Sequence, residues 1–318
     1  MKRLLAVLVL SGVSVNAQTI TETFGSGANQ FSIEFVTIGN PGNTADAGVD
    51  NHGYRLGGSV SYIYNIGKYE ISRDAVMKAD AAGQFGIGLA DMTSYGGNGL
   101  NRPATGMSWN EAARFVNWLN TSKGYQPAYN LASTVNRSMS PWSAGQYSGD
   151  NQFRHKDAYF FLPNLDEWYK AAYGSSTGAW YDYPTGPWPP TGPSKVAGGT
   201  DEGTAVWGLS SGAGPADIAN AGGLSPFGTM GQGGNVREFL EVTDDQYNSN
   251  FGEERHARGG TWSGDYLFLK NDYSSDRMGP LSGNAATGFR VASVPEPSSL
   301  SLLLAGGAVL MAGRRRRG

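Results

Sequence analysis

Glycine sets the limits on what this chain can form. With 47 glycines and 15 prolines among 318 residues, much of the chain is disfavoured from regular structure, because glycine weakens a helix by about 1 kcal/mol relative to alanine and proline breaks one. The two residue types still make up only about a fifth of the chain, below the roughly 25–30% of a low-complexity sequence. The 8 Trp, 16 Tyr and 13 Phe supply the large apolar groups that disordered chains lack. A loop-rich, aromatic-rich globular domain follows.

The absence of cysteine removes disulfides, a thiolate nucleophile, cysteine-ligated zinc and iron–sulfur centres. The three histidines, His52, His155 and His256, lie far apart in sequence. No pair has the spacing that puts two imidazoles on one helix face.

Both termini read as targeting segments. Residues 1–17 have the order of a signal peptide: Lys2 and Arg3, the apolar stretch from Leu4 to Leu10, then the small-residue site Val15-Asn16-Ala17. The mature chain is expected to begin at Gln18. At the other end, residues 294–318 hold Val294-Pro295-Glu296-Pro297, an apolar run from Ser298 to Gly313, and Arg314 to Arg317. A 16-residue helix spans roughly 24 Å, against about 30 Å of bilayer core, so the run is expected to cross a thin bilayer as a transmembrane helix with its arginines on the cytoplasmic side. This tripartite tail resembles the PEP-CTERM sorting signal. The resemblance implies a Gram-negative host that makes extracellular polysaccharide. It also implies an inner-membrane-anchored precursor, recognition of Pro295, Glu296 and Pro297 by an exosortase, and release to the cell envelope or exterior. Removing both ends lowers the 24 Lys+Arg by six, to 18 against 27 Asp+Glu, a net charge of −9, or −8 if Glu296 is also lost. No basic stripe remains, which argues against a nucleic acid partner.

The body, residues 18–293, reads as one domain. Thr19–Phe35 alternates and predicts a strand, as does Val60–Glu70. Three helices are expected. One is capped by Ser72 and runs to Ala82, with Gly83 as its stop. A second follows the capping box Ser108-Trp109-Asn110-Glu111, with Ala112, Phe115, Val116 and Leu119 on one face. A third runs from Asn164 to Tyr173, with Glu167 three residues after its cap. The Gly/Pro/Ser/Ala-rich stretch Tyr183–Pro226 reads as a long surface loop.

Seven segments then occur in order over about residues 35–292. They are Phe35-Val36-Thr37-Ile38-Gly39-Asn40, Ile66-Gly67-Lys68-Tyr69-Glu70-Ile71, Thr105 to Phe115, and Leu162-Pro163-Asn164-Leu165-Asp166-Glu167-Trp168. Gly233-Gly234-Asn235-Val236-Arg237-Glu238-Phe239, Arg258-Gly259-Gly260-Thr261-Trp262 and Gly288-Phe289-Arg290-Val291-Ala292 complete the set. Together they resemble the formylglycine-generating-enzyme, or sulfatase-modifying-factor, domain family. The resemblance implies an α+β, C-type-lectin-like fold with little regular structure. It also implies an oxidase that converts a sulfatase cysteine to formylglycine with two cysteines placed after the Arg-Gly-Gly motif, where in copper-dependent members the soft thiolates hold the metal. Those positions fall at about Gly264 and Leu269 here, so the parent activity is not expected and the chain reads as a pseudoenzyme. The histidine set of the related sulfoxide synthases is absent as well.

The resemblance further implies a structural calcium on the Gly234 and Val236 carbonyls and the Glu238 carboxylate, oxygen ligands suited to a hard cation. Against this, Gly231 and Arg237 depart from the family pattern, and Glu238 is alternatively a partner of Arg237 or Arg258, or a turn cap. Arg290 is expected to hold a turn or a carboxylate. Trp180, Tyr181, Tyr183 and Trp188 are aromatics that stack on sugars when exposed in loops; loop packing is the alternative. Asp244-Asp245 and Glu253-Glu254 read as solvated surface, and neither Ser263 nor Ser143 has a histidine signature nearby.

Three roles remain open. The first is an exported non-catalytic module that binds extracellular polysaccharide or a surface protein through its loops. The second is an enzyme of different chemistry in the family's substrate groove near Ser263, Asp265, Tyr266 and Arg290. The third is a structural component of the biofilm matrix.

Overall fold

The computed structural model describes residues 18–131, 139–187, 191–242, 254–274 and 276–295. The signal segment with Ala17, the apolar C-terminal run with Glu296 and Pro297, and Trp188, Asp244, Asp245 and Glu253 therefore lie outside the described residues. Among the described residues no helix is long and apolar enough to cross a membrane.

Two small sheets organise the fold. The first has the order β1-β2-β3-β13-β6, made of β1 (Thr19–Phe24), β2 (Phe31–Ile38), β3 (Tyr64–Gly67), β13 (Ala292–Ser293) and β6 (Phe160–Phe161). Thr19–Phe35 is thus a hairpin and not one strand. Gly25 (φ 68°) and Gly27 (φ 57°) take left-handed backbone there and reverse the chain, so that Phe24 pairs with Phe31. Only four residues of Val60–Glu70 form strand. The second sheet, β11-β10-β9-β12, joins β11 (Asp276–Met278), β10 (Arg255–Arg258), β9 (Arg237–Phe239) and β12 (Thr287–Phe289). In it β9 and β12 run parallel. Two minor pairs, β4 (Asn130–Leu131) with β5 (Met139–Ser140) and β7 (Ser194–Lys195) with β8 (Thr204–Ala205), complete the strands.

Three helices pack on these sheets. α1 (Arg73–Gly83) starts at Ser72, whose hydroxyl accepts from Ala75 N. Its stop is Gln84, left-handed at φ 51°, and not Gly83; Gly83 instead leaves room for the Phe85 ring, which would collide with any side chain there. α2 (Trp109–Ser122) and α3 (Leu165–Tyr173) each open with the reciprocal capping box their sequences predict, Ser108 with Glu111 and Asn164 with Glu167. Phe115, Val116 and Leu119 of α2 join Phe24, Phe31, Phe35 and Phe160 in the main core, while Trp168, Tyr169 and Tyr173 of α3 form a second one with Leu56 and Leu240. Tyr183–Pro226 is only partly a surface loop. Ala205 and Val206 are buried, and Val206 bridges to Gly234, so this stretch closes one side of the domain.

Candidate functional site

β10 delivers the chain to Gly259 and Gly260, both left-handed at φ 104° and 76°. A side chain at Gly259 would stand 2.7 Å from the Gln232 carbonyl, so the tight turn requires glycine. The next residue but one, Trp262, is buried. Its amide donates to the Asn235 carbonyl at 2.8 Å and its indole to the Ser211 carbonyl at 3.1 Å. Anchored there, the chain projects Ser263, Asp265, Leu267 and Phe268 outward as exposed residues. Asp265 caps the short 3-10 turn Tyr266–Leu269 by accepting from Leu267 N at 2.9 Å.

The two positions where the resemblance places thiols have other roles. Leu269 is fully buried with Tyr183 and Ala205. At Gly264 an added Cβ would touch the Phe268 ring at 3.0 Å, so a side chain there would force that ring aside. No redox or metal-binding group occupies either place. The Ser263 hydroxyl has no histidine or carboxylate hydrogen-bond partner among the described residues, which leaves it without the base a serine nucleophile needs.

Around this turn the structure assembles an aromatic surface. The Tyr266 ring lies 6.4 Å from Tyr183 and 5.4 Å from Trp207, and Phe268 lies 4.8 Å from Tyr273. Leu267 and Phe268 remain 49% and 39% exposed, unusual for large apolar groups side by side. Of the loop aromatics named from sequence that are among the described residues, Trp180, Tyr181 and Tyr183, only Tyr183 joins this surface. Trp180 packs inward on Tyr169 at 5.5 Å, and Tyr181 is tied by its amide to the Tyr173 carbonyl. Trp207, Leu267 and Phe268 are the members that sequence reading misses; their signal is weak, a lone Trp in a glycine-rich stretch and two apolar residues after a capping aspartate.

Beneath the turn lies a buried ionic centre. Arg290 donates from Nε and Nη2 to the two oxygens of Glu238 at 2.5 Å each, and also to the Gly67 and Met230 carbonyls. The Trp168 indole donates to Glu238 Oε2 at 2.6 Å. Arg237 and Arg258 are not the partners of Glu238. In a strand Arg237 and Glu238 face opposite ways; Arg237 reaches Asp276 at 2.6 Å, and Arg258 donates to the Asn271 and Tyr273 carbonyls. This arrangement does not fit calcium on Gly234, Val236 and Glu238. Both carboxylate oxygens already accept charge-assisted bonds, and a guanidinium stands where a cation would have to approach. Glu70 adjoins this centre, accepting from Asn235 Nδ2 at 2.7 Å and Val236 N at 3.2 Å. Burial and the negative charge of Glu238 push its carboxyl well above its ordinary range, outweighing Arg290 and these hydrogen bonds. Because Asn235 also holds Trp262, Glu70 braces the turn from below.

A second ionic cluster lies near the C-terminal exit. Arg154 bonds Glu241 through Nε and Nη2 and Glu167 through both terminal nitrogens, with its plane 3.8 Å over Phe161. Tyr62 donates to Glu167, and Tyr129 to Glu241. Tyr62, Arg154, His155, Asn164 and Val294 line a cleft of about 250 Å³. Val294, one residue before Pro295, is held by its amide to the Tyr159 carbonyl at 3.1 Å.

This geometry agrees with what the chain is similar to. Residues 29–294 match the family described as Sulfatase-modifying factor enzyme 1-like domain, and residues 293–317 match the PEP-CTERM protein-sorting motif. No curated protein matches the sequence. Among solved structures, Treponema denticola variable protein 1 aligns at 17% identity and TM-score 0.58, covering 87% of this chain and 99% of that one. PvdO from Pseudomonas aeruginosa aligns at 16% and 0.56, covering 86% and 98%. The structure titled CarF aligns at 19% and 0.55, covering 83% and 99%. At these identities the likeness establishes the fold. The chain, free of cysteine and marked by its sorting motif as an exported, exosortase-targeted protein, belongs to the sulfatase-modifying factor enzyme 1-like domain family.

Proposed function

We propose that this domain holds a ligand rather than transforming one. In this reading it is a C-type-lectin-like scaffold spanning residues 18–293, released after removal of a signal peptide at Ala17. It passes through the inner membrane by its C-terminal run and is processed at Pro295-Glu296-Pro297. It then acts in the cell envelope or outside it, binding extracellular polysaccharide or a surface protein. The observation that carries this is the turn after Arg258-Gly259-Gly260. Where an oxidase of this family needs two thiols, this chain has Gly264 beside the Phe268 ring and a buried Leu269, and it exposes Leu267 and Phe268 next to Tyr266. Aromatic faces bind the apolar faces of sugars and partner side chains alike.

The test is retention of the purified domain on the host's extracellular matrix material. Replacing Tyr266 and Phe268 together by alanine is expected to lower retention about tenfold, as loss of one or two aromatic anchors does, while the domain stays folded with a lowered thermal midpoint, because both rings also pack on neighbours. Retention equal to wild type would remove this surface from the function.

A further inference from the structure

A groove of about 870 Å³ lies beside the aromatic turn, between residues 50–57, the start of α3 and the β10–β11 hairpin. Its charge is opposite to that of the chain. Among the described residues Arg55 and Arg258 line it against Asp50; the further lining residues Arg277 and Asp276 each have a partner of their own, Asp276 being bonded to Arg237 at 2.6 Å. The processed chain as a whole carries a net charge of −9.

Two of the arginines make the groove a site and not merely a basic edge. Arg258 is only 7% exposed, and among the described residues it meets no carboxylate. Its charge rests on the Asn271 and Tyr273 carbonyls and on the faces of Tyr169 and Tyr173, 5.4 and 5.9 Å away. A buried cation without an anion is costly, and here its field opens into the groove. Arg55 also lines the groove and is exposed, and its guanidinium bonds to no other group among the described residues. The rims are aromatic: Tyr54 is 67% exposed, and Tyr273 continues the surface through its 4.8 Å contact with Phe268.

We infer that this groove binds a carboxylated polysaccharide, a chain of uronic acid units whose carboxylates pair with Arg55 and face Arg258 while its sugar rings lie against Tyr54 and Tyr273. The inference rests on the holding function proposed above and adds a second binding surface to it. A guanidinium offers the planar fork that a carboxylate accepts in two bonds. An acidic peptide would supply the charge but not the flat ring faces that two tyrosines at the rim can cover.

The test titrates the domain with polygalacturonate oligosaccharides, with neutral dextran oligosaccharides and polyglutamate as comparisons. Expected are binding of polygalacturonate alone, weakening in about 0.5 M salt through screening, and about tenfold weaker binding for Arg55→Ala, the loss of one charge-assisted contact. Arg258 is buried and its replacement would compromise the fold, so Arg55→Glu, which should abolish binding, is the second variant. Absence of polygalacturonate binding, equal binding of dextran or polyglutamate, or an unaffected Arg55→Ala would each overturn the inference. A Tyr266→Ala variant should still bind polygalacturonate, because the Tyr266 ring touches Tyr183 and Trp207 and not Tyr273. Loss of matrix retention in that variant with uronate binding intact supports two separable surfaces, whereas loss of uronate binding in it would overturn the assignment to this groove.

Discussion

At the scale of single residues, the centre of the domain depends on three charged side chains that no composition figure reveals. Glu238 and Arg290 are both fully buried, and removing one partner leaves the other charge stranded in a low-dielectric interior. Arg290→Ala is expected to cost about 3–5 kcal/mol, read as a fall in the urea midpoint. Arg290→Lys should recover little, because an ammonium cannot supply the two parallel bonds to Glu238 together with those to Gly67 and Met230. Glu70 has no ion pair among the described residues, and burial together with the charge of Glu238 raises its carboxyl pKa. Its folded-state pKa lies above its unfolded one, so its contribution is fully present below the ordinary carboxyl value and declines as pH rises toward the raised one. The urea midpoint is therefore expected to fall with rising pH from about pH 4.5 upward, and a Glu70→Gln variant should lose that slope. An unchanged slope would show that Glu70 titrates normally. Sequence marked Arg290 as a holder of a turn or a carboxylate, but gave Glu238 to calcium or, alternatively, to Arg237, Arg258 or a turn cap. The pairing was not legible because strand alternation turns Arg237 away and the true partner lies 52 residues further on.

At the scale of elements, local signals were read well and turn geometry was not. Ser108 with Glu111 and Asn164 with Glu167 are short-range chemistry, in which each helix start satisfies its own amides, so their positions follow directly from sequence. The hairpin at Gly25–Gly27 and the stop at Gln84 depend on left-handed backbone that alternation and glycine counting do not locate. Ser108→Ala should lower stability by about 1–2 kcal/mol, because that hydroxyl both accepts from Glu111 N and donates to Glu111 Oε2. Glu167 does more than cap α3. It ties the helix to Arg154 and, through it, to Glu241, and its side chain is fully buried. Glu167→Gln is expected to cost more than Ser108→Ala, about 3 kcal/mol, and differential scanning calorimetry of the two variants side by side would show the order. A larger effect for Ser108→Ala would mean that Arg154 is satisfied by Glu241 alone.

For the molecule as a whole, order of motifs was enough to give the family, since seven short segments fix a fold that none of them fixes singly. The site was half legible. Ser263, Asp265 and Tyr266 were grouped, with Arg290, near the family's substrate groove, and the three do share one turn. Trp180 and Tyr181 were grouped with them only because aromatics in loops look alike in sequence; burial against Tyr169 and Tyr173 separates them. Trp207, Tyr273 and the arginine-lined groove come from distant stretches of chain, and only the fold brings them beside the turn. These features join in the proposed reading: packing residues stand where the resemblance places thiols, and the surface beside them is aromatic.

The most direct measurement offers the purified domain a cysteine-containing sulfatase peptide, with copper and reductant supplied, and follows the peptide's mass. The account predicts that the thiol is recovered unchanged at every enzyme concentration. A product mass corresponding to conversion of that thiol to the formylglycine aldehyde would contradict it, whatever the ligand in the groove.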